Sequence, residues 1–493
     1  MTFQTELSRW EALPQNQTVS SKELGVLLAL AETVSPEEVL DDTLWRRLHA
    51  ALVEHAFLGS RQDIKALAKK EVEQARMRAE VGEIPKNPAH FVALFVEHKA
   101  VTMNYSGVLR VAGQECSKDD VQNHLYLFCA RHNKNDKESF RAFDLWQTSE
   151  KRRLLKEAYD RVAFDRSSNE GWSELEKFVE VLVAETEDKN ETLRLRRGAT
   201  VALAQFVWRV KNHMREHWQH QCHLMPIFYG PTGSGKTTAI KRLLEPLVDM
   251  HFDVGFDMLE DGSKSYDMST MPVMVFEEMA GASKSDVNKI KAIMHAKSRQ
   301  MRQAYHQATV RTMMSTFIGC SNKDVSVTIM DETSNRRFFQ INVLGSDPKA
   351  IQSIDALKLW RCIDEDAEAP MYANAEDLEI ITSIQSTQRH IGPVESWLLD
   401  DPPPASKAMK ATEIFNQYFR LWCDQNDPTA ARHLNATKLG NELKRLVDTT
   451  GWKQKIGVRF VHGSNTYTFH SDASAERQEQ PVLRLADRQR ANI

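Results

Sequence analysis

The chain has 493 residues, 41% of them hydrophobic and 27% charged, with a net charge of -4. That length outgrows a single hydrophobic core and points to about two to four domains. A mean hydropathy of -0.48, with no apolar run of about eighteen residues, excludes a membrane-spanning helix, and the charge balance excludes a coat of basic surface, so nucleic-acid contacts have to come from local patches.

Cys116, Cys129, Cys222, Cys320, Cys362 and Cys423 lie far apart, with no C-x-x-C or Cys/His cluster. This argues against a zinc site or a disulfide framework and for reduced thiols in the core. Met1-Thr2-Phe3-Gln4-Thr5-Glu6 has neither a basic stretch before an apolar one nor the acid-free, Arg-rich character of a transit peptide. The expectation is a cytoplasmic protein.

Taken in chain order, Ser35-Pro36-Glu37-Glu38 reads as a capping box with proline in the first turn. Val39, Leu40, Leu44, Leu48 and Leu52 follow at helical spacing, and the polar stretch from Gln62 to Glu80 continues as helix. Apolar residues on both sides of Asn104-Tyr105-Ser106-Gly107 predict a small hairpin over 101–112. Helices return from Ser117 to about Phe164, and Ser167-Ser168-Asn169-Glu170-Gly171 is a turn-rich boundary. The spacing of Ala202, Phe206, Val207 and Val210 predicts a buried helix from Gly198 to Met214.

These features divide the chain into a mainly helical region over 1–171, an α/β domain over 172–400, and a smaller α+β domain over 401–470. Residues 471–493 form a tail, rich in Arg, Gln, Ala and Asp, with little apolar periodicity. Pro402-Pro403-Pro404 is a stiff spacer between the second and third parts. Beyond it, helices from Thr412 to Cys423 and Ala436 to Val447 precede a hairpin from Gln454 to Phe469, turning at His462-Gly463-Ser464-Asn465. Helix, helix, hairpin is a winged-helix signature.

The chemistry lies between Gly230 and Arg337. Ile227-Phe228-Tyr229 runs into Gly230-Pro231-Thr232-Gly233-Ser234-Gly235-Lys236-Thr237-Thr238, then into an apolar helix, which satisfies G-x-x-x-x-G-K-[ST] in its strand–loop–helix setting. The glycines let backbone amides curl around phosphates, Lys236 supplies a point charge for the β and γ phosphates, and the Thr237 hydroxyl suits Mg²⁺. ATP and Mg²⁺ are therefore the expected cofactors.

Met271 to Phe276 is an apolar strand ending in Glu277 and Glu278. One carboxylate is expected to hold the metal and the other to orient water, Glu277 and Glu278 in that order or the reverse. The apolar run from Thr312 predicts a strand ending at Asn322, an amide suited to sense the γ-phosphate or the attacking water; a lone Asn after a strand is otherwise a turn former. Asp331-Glu332-Thr333-Ser334-Asn335 leads to Arg336 and Arg337, just before a strand from Phe338 to Val343. An arginine given by a neighbouring subunit would compensate charge at the γ-phosphate; the plain alternative is a pair of surface ion-pairing arginines.

In this order the motifs resemble the superfamily 3 helicase-like ATPases of phages, satellites and integrated elements, especially the virulence-associated protein E family and related primase-helicases. The resemblance covers about Tyr105 to Asp400 and is sharp after Gly230. It implies an AAA+-like ATPase fold, a homo-oligomeric ring such as a hexamer, and basic residues facing a DNA channel between the acid motif and the sensor. Lys289, Lys291, Lys297, Arg299, Arg302 and Arg311 occupy that stretch. Phe276-Glu277-Glu278-Met279 departs from the family's frequent Glu-Leu after a small residue, which puts the division of labour between the two acids in question.

In the C-terminal part, Lys438, Lys444 and Arg445 on a helix and Lys453, Lys455 and Arg459 around the hairpin are candidate contacts for duplex DNA, although such modules also bind proteins. Three functions fit: a replicative helicase or translocase, a nucleotide-controlled assembly or defence ATPase without unwinding, and an origin-binding initiator.

Overall fold

The computed structural model describes residues 77–167, 171–217, 223–259, 269–301, 309–329, 336–405, 408–449, 452–461 and 463–470, with 42–55, 74 and most of 2–30. Two compact units emerge, Met1–Asp160 and Arg161–Ile493. The second begins six residues before the turn-rich segment at 167–171. The predicted capping box at Ser35–Glu38 and the tail over 471–493 lie outside the described residues.

The first unit is mainly helical. α1 (Phe3–Glu11) and α2 (Asp42–His55) bury Leu7, Trp10, Leu48 and Leu52 in one core. α3 (Pro88–His98) starts where the Asn87 side chain accepts the His90 amide at 2.8 Å, with Pro88 in the first turn where no donor is needed. After it, β1 (Val101–Met103) and β2 (Leu109–Val111) form the predicted hairpin, and β3 (Gln114–Cys116) adds a third antiparallel strand. The added strand depends on Ala112 and Gly113, both at positive φ (48° and 83°), which return the chain in a tight turn. α4 (Lys118–Arg131), held by a Ser117–Asp120 capping box, and α5 (Asp136–Val162) close a second core around Phe91, Phe95, Leu109, Leu125, Phe128 and Phe143.

The second unit opens with α6 (Ser173–Leu182) and α7 (Lys189–Met214). The predicted buried helix is the inner part of α7: it begins nine residues earlier, capped by Asp188, and is buried throughout from Gly198 to Met214. It lies against a five-stranded, all-parallel sheet of β4 (Met225–Tyr229), β5 (His251–Asp253), β6 (Val273–Phe276), β9 (Thr316–Ser321) and β10 (Phe338–Asn342), in the order β10-β4-β9-β6-β5. A Cβ at Gly198 would lie 2.5 Å from Ile384 Cδ1 and 3.1 Å from Phe339 Cζ, so glycine is what lets α7 approach β10 and the later helix at Ala375–Thr387 this closely.

Between β4 and β5 runs α8 (Lys236–Leu244), and after β6 come α9 (Lys284–His295) and an antiparallel hairpin of β7 (Ser298–Met301) and β8 (Thr309–Thr312). The helices α10 (Pro348–Ser353), α11 (Ala356–Arg361) and α12 (Ala375–Thr387) complete the domain, and α13 (Pro393–Asp400), which was expected to close it, packs instead into the core of the smaller domain through Val394, Trp397 and Leu398. A buried ion pair fastens α7 to the segment after α11: the Lys211 ammonium donates to the Ile363 carbonyl at 2.7 Å and to the Glu365 carboxylate at 3.0 Å. Burial depresses the Lys211 pKa, and the Glu365 carboxylate opposes that shift.

Past the triple proline, a second, smaller core forms around Phe419, Leu439, Leu443, Ile456, Tyr467 and Phe469, which Trp397 joins from before that spacer. Its elements are β11 (Met409–Lys410), a helix α14 that passes through Ala411–Ile414, a π turn at Phe415–Phe419 and Arg420–Asn426, then α15 (Pro428–His433), α16 (Ala436–Thr449) and a hairpin of β12 (Ile456–Val461) and β13 (Ser464–Phe469). β11 pairs with β13, making the hairpin part of a three-stranded sheet. Among the described residues, no helix is long and apolar enough to cross a membrane.

Candidate functional site

Because the central sheet is all parallel, β4, β9 and β6 end at the same edge, and whatever follows each of them meets there. Tyr229 pairs with Ser321 and Phe276 with Gly319, so Gly230, Asn322 and Glu277 leave the sheet side by side, with the Asn322 strand between the other two. The Gly230 amide donates to the Ser321 carbonyl (3.2 Å) and the Met279 amide to the Cys320 carbonyl (2.8 Å), which fixes both departing loops on β9.

Gly230 to Gly235 wrap the start of α8. A Cβ on Gly230 would stand 2.0 Å from the Val343 carbonyl oxygen, and Gly233 and Gly235 take φ of 84° and 96°, a region that favours glycine. Ser234 is buried, whereas Pro231, Thr232 and Thr237 are exposed and Thr238 is half-buried. The Lys236 ammonium lies within the loop, donating to the carbonyls of Gly230 and Pro231, each at 2.7 Å. Thr237, Glu277, Cys320, His251 and Asp253 line a common cavity at this edge.

The Cys320 thiol reports the electrostatics. Burial pushes it up to about 11; the Lys236 ammonium and a bond with Thr237 pull it down, and Glu277 and Glu278 push it further up. One buried sulfur thus feels the loop lysine, the loop threonine and both acids. Glu277 and Glu278 are exposed, and Glu278 accepts the Ala280 amide at 2.8 Å. Asn322 is exposed at the end of β9.

Cys320 and Gln340 escape sequence reasoning. From the middle of β10, the Gln340 side chain accepts the Val325 amide (2.7 Å) and donates to Asp324 (3.0 Å) and Asn342 (2.8 Å), tying down the segment just after Asn322. A glutamine inside an apolar run, Phe338-Phe339-Gln340-Ile341, is the only signal that could have marked it.

Arg336 and Arg337 stand elsewhere. The Met225 amide donates to the Arg337 carbonyl at 2.8 Å, so both arginines precede β10 at the amino edge of the sheet, while the glycine loop follows β4 at the carboxyl edge. A five-residue strand at about 3.3 Å per residue separates the two edges by roughly 16 Å. His223, just before β4, is held well below the usual histidine range, first by burial and then by the nearby Arg209, His213 and Arg337. Its Nε2 accepts the Phe317 amide at 3.3 Å. Asp331 to Asn335 lie outside the described residues.

The basic candidates divide. On α9, Lys289 donates to Asp286 at 3.4 Å and Lys291 sits 6.0 Å from the centre of the Phe338 ring. α9 ends at His295, so Lys297 and Arg299 belong to the hairpin approach and to β7, where Arg299 pairs across to Arg311. Arg302 lies outside the described residues. In the smaller domain, Lys438 and Lys444 are exposed on α16, Lys438 donating to the His433 carbonyl at 2.8 Å, and Arg445 pairs with Glu442 at 2.9 Å. Lys453 and Arg459 are exposed, and Lys455 lies 5.4 Å from the Trp452 ring centre.

No curated protein matches the chain. Among solved structures, the apo NrS-1 C-terminal region is similar at 11% identity, covering 78% of this chain and 99% of that one with a TM-score of 0.36; its A form matches at 12%, 78%, 100% and 0.34. The JCV helicase matches at 13% identity over 51% of this chain and 74% of that one, with a TM-score of 0.28. Likenesses this loose transfer no residue roles. The family model for the virulence-associated protein E-like domain matches residues 170–369, which takes in the whole carboxyl-edge cluster and both arginines. Over that stretch the chain is similar to a virulence-associated protein E-like domain.

Proposed function

We propose that this chain is an ATP-hydrolysing motor of the superfamily 3 helicase type, acting on DNA as an oligomeric ring in the replication of a phage, satellite or mobile element. The observation that carries the reading is the sheet's division of labour. Loop, acids and amide share one edge, while Arg336 and Arg337 occupy the other, roughly 16 Å away.

In this reading the loop amides and Lys236 bind the triphosphate. Thr237 and Glu277 are hard oxygen donors on one cavity, a donor set that suits Mg²⁺, which when bound would neutralise phosphate charge. Glu278 orients the attacking water and Asn322 senses the γ-phosphate; the two acids exchange roles if Glu278 proves to be the metal ligand. An arginine confined to the far edge cannot serve its own loop, so Arg336 or Arg337 completes a neighbour's site and makes hydrolysis depend on assembly, as a hexamer or similar ring. Lys297, Arg299 and Arg302 grip the DNA backbone without reading sequence, and the domain over 401–470 is a winged helix with DNA contacts through Lys438, Lys444, Arg445 and Lys455.

A second reading, an assembly ATPase that unwinds nothing, draws support from the intramolecular partners of Lys289 and Lys291. Steady-state ATPase measured with and without single-stranded DNA separates the two. Stimulation by DNA supports the motor, and turnover indifferent to DNA supports the assembly ATPase. Persistent turnover in Lys236→Ala defeats the site assignment common to both.

A further inference from the structure

The hairpin of the smaller domain ends in an exposed aromatic residue that its core does not use. Along β12, Ile456, Val458 and Phe460 alternate onto one face, and their partners on β13 are Phe469, Tyr467 and Asn465. This face packs on α16 as far as Tyr467, whose hydroxyl donates to the Gly440 carbonyl at 2.8 Å. Phe460 lies two residues beyond the Val458–Tyr467 pair, about 7 Å nearer the tip. There the core has run out: Phe460 is 74% exposed and Val461 beside it 40%.

The surroundings are polar and basic. Lys438, Asn441 and Lys444 stand three residues apart on the exposed side of α16, flanking Gly440, and Arg459 is exposed next to Phe460. Exposed lysines on a helix and an exposed ring at the hairpin end of the same small domain match DNA, whose backbone meets the cations and whose bases stack on the ring. An apolar protein partner would leave these charges without counterparts.

Resting on the DNA-motor reading above, we infer that Phe460 is a stacking pin for an opened duplex end: α16 lies along the duplex, and the ring covers the base pair at the junction with single strand. The pin sits outside the ATP site, so its loss leaves DNA-free hydrolysis unchanged.

The test uses the full chain, without nucleotide, and a forked DNA carrying 2-aminopurine in the junction pair. Phe460→Ala should weaken fork binding about 10- to 100-fold at fixed salt, leave the salt dependence unchanged, and abolish the change in 2-aminopurine fluorescence that the wild type produces. Phe460→Trp should restore affinity and signal. Equal fork affinity for the wild type and Phe460→Ala overturns the inference, as does a wild type that binds no DNA, which would assign this face to a protein partner. Because binding is read without ATP, a chain that grips the fork through Phe460 but hydrolyses nothing upholds the pin and defeats the motor.

Discussion

Replacing Gln340 with leucine keeps a side chain of similar bulk, one atom shorter, and removes its polar atoms. Three bonds disappear, to Val325, Asp324 and Asn342, whereas the two bonds between the Gln388 side chain and the Gln340 backbone survive. The main loss is the buried Val325 amide, which is left without its acceptor at a cost of about 1–3 kcal/mol. The bonds to Asp324 and Asn342 are part-buried and water can replace them, adding no more than about 1 kcal/mol. Gln340→Leu should therefore lose roughly 1–4 kcal/mol in urea denaturation. Its ATPase kcat should fall more than its KM rises, because the loosened segment follows Asn322 directly. Gln340→Glu keeps an acceptor for Val325 but sets a second carboxylate beside Asp324. That raises the new group's pKa in the fold, so its destabilisation should be large at neutral pH and shrink as pH falls toward about 5. A Gln340→Leu variant that melts and turns over like the wild type would refute the assignment of this residue to the sensor segment.

The Gly230→Ala methyl would stand 2.0 Å from a backbone oxygen, a neighbour that cannot swing away; it should cost about 1–3 kcal/mol or more and abolish ATPase activity. Gly281→Ala, which meets nothing within 4 Å, is the control and should match the wild type in both. Cys320 carries a pH signature. Its folded pKa of about 11 lies above the ordinary thiol value of 9.0, so its contribution to stability is complete below about pH 9 and is lost as pH rises through about 11, roughly 2–3 kcal/mol in all. Cys320→Ala should lack that part of the alkaline loss when urea midpoints at about pH 8 and about pH 11 are compared, and an unchanged alkaline loss would contradict the burial argument.

Much of the site was legible because its signals are local. The glycine loop encodes its own turn, and a run of apolar residues closed by two acids names both a buried strand and its edge. Interactions between distant segments were harder to read. The apolar run from Thr312 reads as one strand to Asn322, yet the chain divides at Met313–Ser315: the Met313 amide turns to the Lys297 carbonyl, and the Ser315 hydroxyl to that of Met271. The first part became β8 because it pairs antiparallel with Ser298–Met301, a partner that no local pattern in the sequence marks. Gln340 was illegible for the same reason, its partners lying 15 or 16 residues before it and 48 after. The resemblance supplied the ring, the residues themselves the idea of an arginine in trans, and the amino-edge position of Arg336 and Arg337 is the physical basis of that proposal.

The central claim is that an arginine from one subunit serves the glycine loop of the next. The direct measurement is the ATPase rate of Arg336→Ala and Arg337→Ala, each alone and mixed with Lys236→Ala subunits, in the presence of single-stranded DNA. Each Lys236→Ala subunit has an inert loop and intact arginines, and each arginine variant the reverse. The account predicts that at least one arginine variant is nearly inactive alone and regains part of its activity in the mixture. An arginine variant that is inactive alone and stays inactive at every mixing ratio would place the arginine in its own subunit's site and contradict the account.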